Sequence, residues 1–284
     1  MFDEVWKESR FFYWPGDVRG CRTFPELWEA VKFRRLEEFF PHTPQRSLEV
    51  GCGSGGVSLY FHDRYGYQVT LVDISEVALA FARENFARHS TAPERPARFL
   101  QADACALPFP AATFDLVMSF GLLEHFADIE PPIAEQLRVL RPGGIFFADI
   151  VPRRFSVDSF SRFPGRVKHC FAARFRGRRP ARPIYENALP LSRYIAAVER
   201  YGGQVRWARG NRPVTSLNLP LLGRFALRLY QTEAVQRFWR RFDLSDSPLA
   251  RFWGAGWWVL AEKLEGRGYR APHPCGSDGQ PGGP

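Results

Sequence analysis

Glycines at positions 51, 53, 55 and 56, with an acid at 49, are the densest group of residues in this chain whose types and spacing could do chemistry. They lie in LEVGCGSGGVSL, residues 48–59. The glycines satisfy two patterns at once. Gly51, Gly53 and Gly56 spell G-x-G-x-x-G, the turn that seats a dinucleotide pyrophosphate at a helix N-terminus. Gly51, Gly53 and Gly55 spell G-x-G-x-G, which suits a nucleoside carrying no phosphate. Glu49 breaks the tie. A carboxylate at that strand end repels a pyrophosphate and attracts a cationic amino group. A second acid, Asp73, closes the next strand in LVDIS, where a carboxylate accepts both hydroxyls of a ribose. Nicotinamide enzymes share that feature, so it does not discriminate by itself.

The elements that must hold these residues follow from periodicity. FPELWEAVKFRRLEEFF, residues 24–40, has apolar positions at helical spacing and ends at Pro41. Strand-like RSLEV, the glycine turn and a helix to about residue 65 come next. YQVTLVD is a second strand, and SEVALAFARENFARHS is a helix that Ser75 can cap. ARFLQAD and FDLVMSF give two more strands, a helix runs from about Pro131 to Leu140, and IFFADI is the fifth strand. Strands alternating with helices at this spacing require a parallel sheet covered on both faces. After residue 151 the rhythm breaks. LSRYIAAVERYGG reads as a helix, QVRWAR as a strand, and WGAGWWVLAEKL as the last strand, with two amphipathic helices between them at 219–230 and 233–242. The division expected is a helical cap over 1–42, a ligand-binding core over 43–151, the rest of the sheet with insertions 152–189 and 210–252 over 152–264, and a disordered tail over 265–284.

The composition, with 45% apolar and 24% charged residues, is that of an ordinary globular protein. MFDEVWKESR carries acids early and no apolar core, so no signal peptide is expected, and no apolar run is long enough for a spanning helix. The five cysteines are scattered with no C-x-x-C pair, which predicts neither a disulfide framework nor a zinc site and points to a reduced, cytoplasmic setting. The net charge of +9 is unevenly placed: residues 152–260 hold 21 Arg and Lys against six Asp and Glu, whereas the rest of the chain is acidic on balance.

Four blocks, LEVGCGSGG, VTLVDISEVALAFAREN, FLQADACALPFPAATFDLVMSFGLLEHFAD and EQLRVLRPGGIFFADI, resemble in order the signatures of class I S-adenosylmethionine-dependent methyltransferases. The likeness is nearest to the small-molecule branch that includes quinone-biosynthesis enzymes, and it covers residues 46–151. It implies a Rossmann-like α/β fold: seven mostly parallel strands, helices on both faces, the last strand antiparallel, and S-adenosyl-L-methionine at the carboxyl edge. Carried over by position, Glu49 and the backbone of Gly51, Cys52, Gly53 and Gly55 would hold the methionine end. Asp73 would bind the ribose and Ile74 would lie against the adenine. Asp103 would accept the adenine amino group, Ala104 would offer its N–H, and Phe120 would line the cofactor. His125 stands where the family often places a group near the methyl donor. It is the candidate general base, with capping of the next segment as its structural alternative.

Methyl transfer needs chiefly alignment of a nucleophile with the S–CH₃ bond and exclusion of water. A base is required only when the acceptor must lose a proton, and histidine has the right intrinsic pKa; Glu124 and Asp149 are weaker candidates. No metal cluster is legible. The two insertions, rich in arginine and aromatic residues, are expected on the rim of the acceptor crevice. Phe155, Phe160, Phe163, Phe171, Phe175 and Tyr185 alternate with arginines, and Leu221, Leu222, Phe225 and Leu229 form one helical stripe. Val235, Phe238, Trp239 and Phe242 repeat it. The plain reading is that these stripes pack on the domain and the arginines are solvated. The functional readings are contact with an anionic membrane delivering a lipid or quinone-like acceptor, or a grip on RNA. An apolar or acidic small-molecule acceptor is preferred. An RNA methyltransferase and an inactive binding module on the same fold are the alternatives, and the oligomeric state is not legible. Tyr13 or Trp14 in RFFYWPGDVRG is a further candidate cofactor contact.

Overall fold

The computed structural model describes residue 3 and residues 16–151, 185–211, 223–243 and 256–265. The expected tail, the first insertion up to residue 184, Tyr13, Trp14, and Leu221, Leu222, Trp239 and Phe242 as packing residues lie outside the described residues.

Chain order gives α1 (Phe24–Leu36), β1 (Arg46–Val50), α2 (Gly56–Tyr65), β2 (Gln68–Asp73), α3 (Glu76–His89), β3 (Arg98–Gln101) and β4 (Phe114–Phe120). A 3-10 turn (Leu123–His125) leads into α4 (Glu130–Val139) and β5 (Leu140–Ile150). Then come α5 (Leu191–Arg200), β6 (Gly203–Asn211), α6 (Gly223–Tyr230), α7 (Glu233–Asp243) and β7 (Gly256–Lys263). The strands form one sheet in the order β3-β2-β1-β4-β5-β7-β6. The pairs β1–β2, β1–β4, β2–β3 and β4–β5 are parallel, and β7 runs antiparallel to both β5 and β6. The order turns back on itself between β1 and β4, and the crevice beyond those carboxyl ends is where ligands bind in such sheets.

Strand alternation sends side chains to two cores. Leu48, Val50, Val72, Val117 and Phe146 join Ile133, Leu137, Tyr194 and Val198 of α4 and α5. Val69, Leu71, Leu116 and Phe147 join Phe33, Leu59, Phe61, Leu79 and Phe86 of α1, α2 and α3. The period of two therefore puts Glu49, between Leu48 and Val50, on the α2 side of the sheet. α1 opens with a capping box in which Thr23 and Glu26 satisfy each other's backbone N–H groups. It stops at Leu36, four residues short of the periodicity, and Phe40 reaches the core from the turn beyond.

One expectation is corrected. Cys105 is disulfide-bonded, whereas Cys21 and Cys52 are not. Scatter along the sequence does not limit which cysteines a fold brings together.

Candidate active site

The site begins where β1 runs out. Gly51, Gly53 and Gly55 have φ of +67°, +51° and +70°, the left-handed region that glycine occupies without strain. Gly56 is not among the positive-φ residues and simply starts α2. The backbone therefore requires the G-x-G-x-G set, and the G-x-G-x-x-G match is incidental. A Cβ on Gly51 would stand 2.7 Å from Leu122 Cδ1, and one on Gly55 would stand 2.7 Å from Leu71 Cδ2. The turn is thus pressed between β2 and the exit of β4. The N–H groups of Gly51 and Cys52 donate to the Val72 carbonyl at 2.8 and 3.0 Å, and Gly55 N–H donates to Cys52 O at 2.8 Å. α2 starts without a side-chain cap, so its first N–H groups are left for other partners.

Two carboxyl groups lie under this turn. Glu49 is buried, and its Oε2 accepts from Ser58 Oγ at 2.5 Å and Ser58 N–H at 3.2 Å. The group underlies the turn instead of standing open in the crevice, and burial pushes its pKa up to about 7 against the Ser58 bonds that favour ionisation. Asp73 is also buried. Its Oδ2 accepts Gly53 N–H at 3.0 Å and its Oδ1 accepts Ser75 N–H at 2.9 Å, so it ties the turn to the end of β2. Burial raises Asp73 as well, with those N–H bonds opposing. The Cys52 thiol is pushed up by burial and by the neighbouring Glu49 and Asp73 carboxylates, which leaves it a poor nucleophile.

Ile74, directly after Asp73, is 56% exposed although apolar. Its carbonyl accepts from Gln101 Nε2 at 2.9 Å. Asp103 is exposed in the loop after β3, where its Oδ1 accepts Cys105 N–H at 2.9 Å; Ala104 beside it is buried. Ala102 N–H donates to Asp73 O at 3.1 Å, so this loop is anchored to the acid at the end of β2. Phe120 ends β4 half-buried, its ring 5.5 Å from that of Phe147.

Beyond β4, Leu122 over Gly51 carries the chain directly into the 3-10 turn that holds Glu124 and His125. His125 is half-buried, and its Nδ1 lies 2.8 Å from the Tyr185 carbonyl. A carbonyl only accepts, so in the neutral ring the proton sits on Nδ1 and the lone pair on Nε2. Glu124 is 3% exposed, and its Oε2 has no hydrogen-bond partner among the described residues. Burial, with Asp149 and Glu186 adding negative charge, pushes it up to about 7.

The residue that holds this corner together is one that sequence reading misses. Asn187 Nδ2 donates to the carbonyls of Leu123 and Phe126, and its Oδ1 accepts from Tyr194 OH at 2.7 Å and Leu189 N–H at 3.2 Å. Its backbone N–H donates to Glu124 O at 2.7 Å. These bonds staple the segment carrying Tyr185 to the turn carrying His125. No local pattern announces them, because the partners are some sixty residues apart in sequence. Ser58 is the other omission. It follows from Glu49 only once α2 is seen to fold back over β1.

Residues 48–148 match the family model described as a methyltransferase domain. A demethylmenaquinone methyltransferase of Thermus thermophilus is 42% identical over 113 residues, 39% of this chain and 49% of that protein. A norajmaline N-methyltransferase of Rauvolfia serpentina is 32% identical over 141 residues, 49% of this chain and 48% of that protein. The chain thus spans about half the length of these curated relatives. Among solved structures, an S-adenosylmethionine-dependent methyltransferase from Mesorhizobium loti superposes with a TM-score of 0.53 at 19% identity, covering 82% of this chain and 98% of that one.

Proposed function

We propose that this chain, built on a class I S-adenosylmethionine-dependent methyltransferase domain at residues 48–148, moves a methyl group to an apolar or acidic small molecule. The observation that carries the reading is the pair of buried carboxyl groups, Glu49 and Asp73, beneath a turn of three left-handed glycines. Such a floor rejects a pyrophosphate and is relieved by a cation, since positive charge nearby stabilises both ionised acids. S-adenosylmethionine fits it. Its amino group supplies that cation, and exposed Ile74 offers an apolar face for adenine.

When bound, the cofactor supplies a methyl group already made electrophilic by its sulfonium. The chain's residues do the rest. The backbone of Gly51, Cys52, Gly53 and Gly55 would hold the methionine end, with the Glu49 carboxylate beneath the turn supplying charge for its amino group. Asp73 takes the ribose hydroxyls on the lone pairs its two N–H partners leave. Ile74, Asp103 and the Ala104 N–H receive the adenine, and Phe120 lines the cofactor. His125 Nε2 accepts the proton of an acceptor hydroxyl, amine or acidic carbon, while Tyr185 O keeps the ring in that tautomer. Two of the relatives, a demethylmenaquinone methyltransferase and a norajmaline N-methyltransferase, support a small-molecule acceptor.

Transfer itself is the test. With methyl-labelled S-adenosylmethionine, label is expected in organic-extractable phenols, quinols or carboxylic acids offered as a panel. Label that enters only RNA, or none of the panel, would contradict this acceptor class.

A further inference from the structure

The stripe Leu221, Leu222, Phe225 and Leu229, if α6 were an ordinary surface helix, would be the side that packs. The structure turns the described part of it outward. Among the described side chains of α6, Leu227 points inward, 8% exposed and clustered with Val18, Cys21, Leu27 and Ala30. Tyr230 meets Phe24 edge-on with centroids 6.1 Å apart, and Gln231 Nε2 donates to Cys21 O at 2.5 Å. An ion pair between Arg19 and Glu233 fastens the start of α7 to the same region. Phe225 and Leu229, one turn apart and both on the side away from Leu227, are 67% and 47% exposed. Arg228 stands exposed beside them. On α7, Phe238 is 59% exposed next to exposed Arg237. Phe225 and Leu229 are therefore not the side chains that attach α6.

We propose that this face is a contact surface for an anionic lipid bilayer. Phe225, Leu229 and Phe238 enter the boundary between headgroups and acyl chains, while Arg228 and Arg237 pair with lipid phosphates. Charge complementarity commits the surface to that partner, because residues 223–243, which form the two helices, carry five arginines against Glu233 and Asp243. A grip on RNA uses flat groups that stack on bases, whereas Leu229 is aliphatic and completes a helical apolar row with Phe225. No helix among the described residues is long and apolar enough to cross a membrane, so the contact is interfacial. Delivery of an apolar acceptor from the bilayer rests on the methyl-transfer reading; the lipid contact does not.

The test is flotation of the full chain with vesicles of phosphatidylcholine alone or mixed with phosphatidylserine, at low and high salt, alongside single-stranded RNA binding. The wild type is expected to float with the mixed vesicles, less so at high salt, and weakly with the neutral ones. Phe225→Ser with Leu229→Ser and Phe238→Ser should cut partitioning at least about tenfold, and each of Arg228→Ala and Arg237→Ala about fivefold. Far-UV circular dichroism and S-adenosylhomocysteine affinity, both unchanged in the variants, show that the fold and cofactor site persist. Equal flotation of wild type and triple variant, no preference for anionic vesicles, or RNA binding that depends on these residues and displaces the vesicles would overturn the proposal. Vesicle binding by a chain that binds no sulfur nucleoside would sustain it and sink the methyl-transfer reading instead.

Discussion

His125→Ala is expected to lower methyl transfer by roughly 10²–10⁴-fold for an acceptor that must lose a proton, with S-adenosylhomocysteine affinity unchanged. The expectation rests on geometry. The Tyr185 carbonyl 2.8 Å from Nδ1 fixes the tautomer, and the turn that holds the ring is packed through Leu122 against Gly51. Those contacts bring the turn carrying His125 up against the glycine turn at Gly51. Turnover that collapses while S-adenosylhomocysteine affinity and the melting temperature hold is the signature. A residue that only capped the following segment would change the melting temperature and leave turnover in place. A loss of less than about threefold in turnover would remove His125 from the chemistry.

The second large effect concerns stability. Glu124 has its folded pKa raised from 4.5 to about 7, chiefly by burial. Between those values the native state holds a proton that the unfolded chain has released. The stability from the neutral group is thus complete below about pH 4.5 and is lost as pH rises through about 7. Above that, a charged and incompletely partnered carboxylate stays buried beside Asp149, at a cost of about 3 kcal/mol. Glu124→Gln keeps the shape and removes the charge, so at pH 8 it is expected to exceed the wild type by up to about 3 kcal/mol in denaturant unfolding. The advantage should vanish near pH 4.5. Glu49 is shifted the same way and remains in both proteins, so the difference between them isolates Glu124. Equal stability at both pH values would refute the account of this group.

Much of this arrangement can be read before any coordinates. The glycine turn is legible because left-handed backbone admits few residues but glycine, and the acids at 49 and 73 are legible because strands ending in a crevice put such groups in one place. The alternation of strands and helices shows the sheet, and the family likeness gives its antiparallel last strand. What escapes is whatever depends on distant partners. Burial of Glu49 against Ser58 requires α2 to fold over β1, and the Asn187 staple joins segments that no local pattern connects. The direction of α6 is the sharpest case. Its apolar row was legible, but only the cap over Leu227 reveals that Phe225 and Leu229 face out. β5 likewise begins at Leu140 rather than after the RPGG turn, because Leu140 already pairs with Phe114 and residues 141–144 bulge out before the register resumes at Ile145.

The central claim, a sulfur nucleoside held over Glu49 and Asp73, is tested most directly by calorimetry. S-adenosylmethionine and S-adenosylhomocysteine, with NAD as control, would be titrated into wild type, Asp73→Ala and Glu49→Gln at pH 8 and pH 6. Both sulfur nucleosides are expected to bind in the micromolar range and NAD not at all. Asp73→Ala should weaken them about 10- to 100-fold by removing charged hydrogen bonds to the ribose. Wild-type affinity should fall about tenfold from pH 8 to pH 6, since a cation bound above Glu49 must first expel a proton held with a pKa of about 7. Glu49→Gln should lose that pH dependence. A folded protein that binds NAD, or that binds neither sulfur nucleoside, would contradict the account.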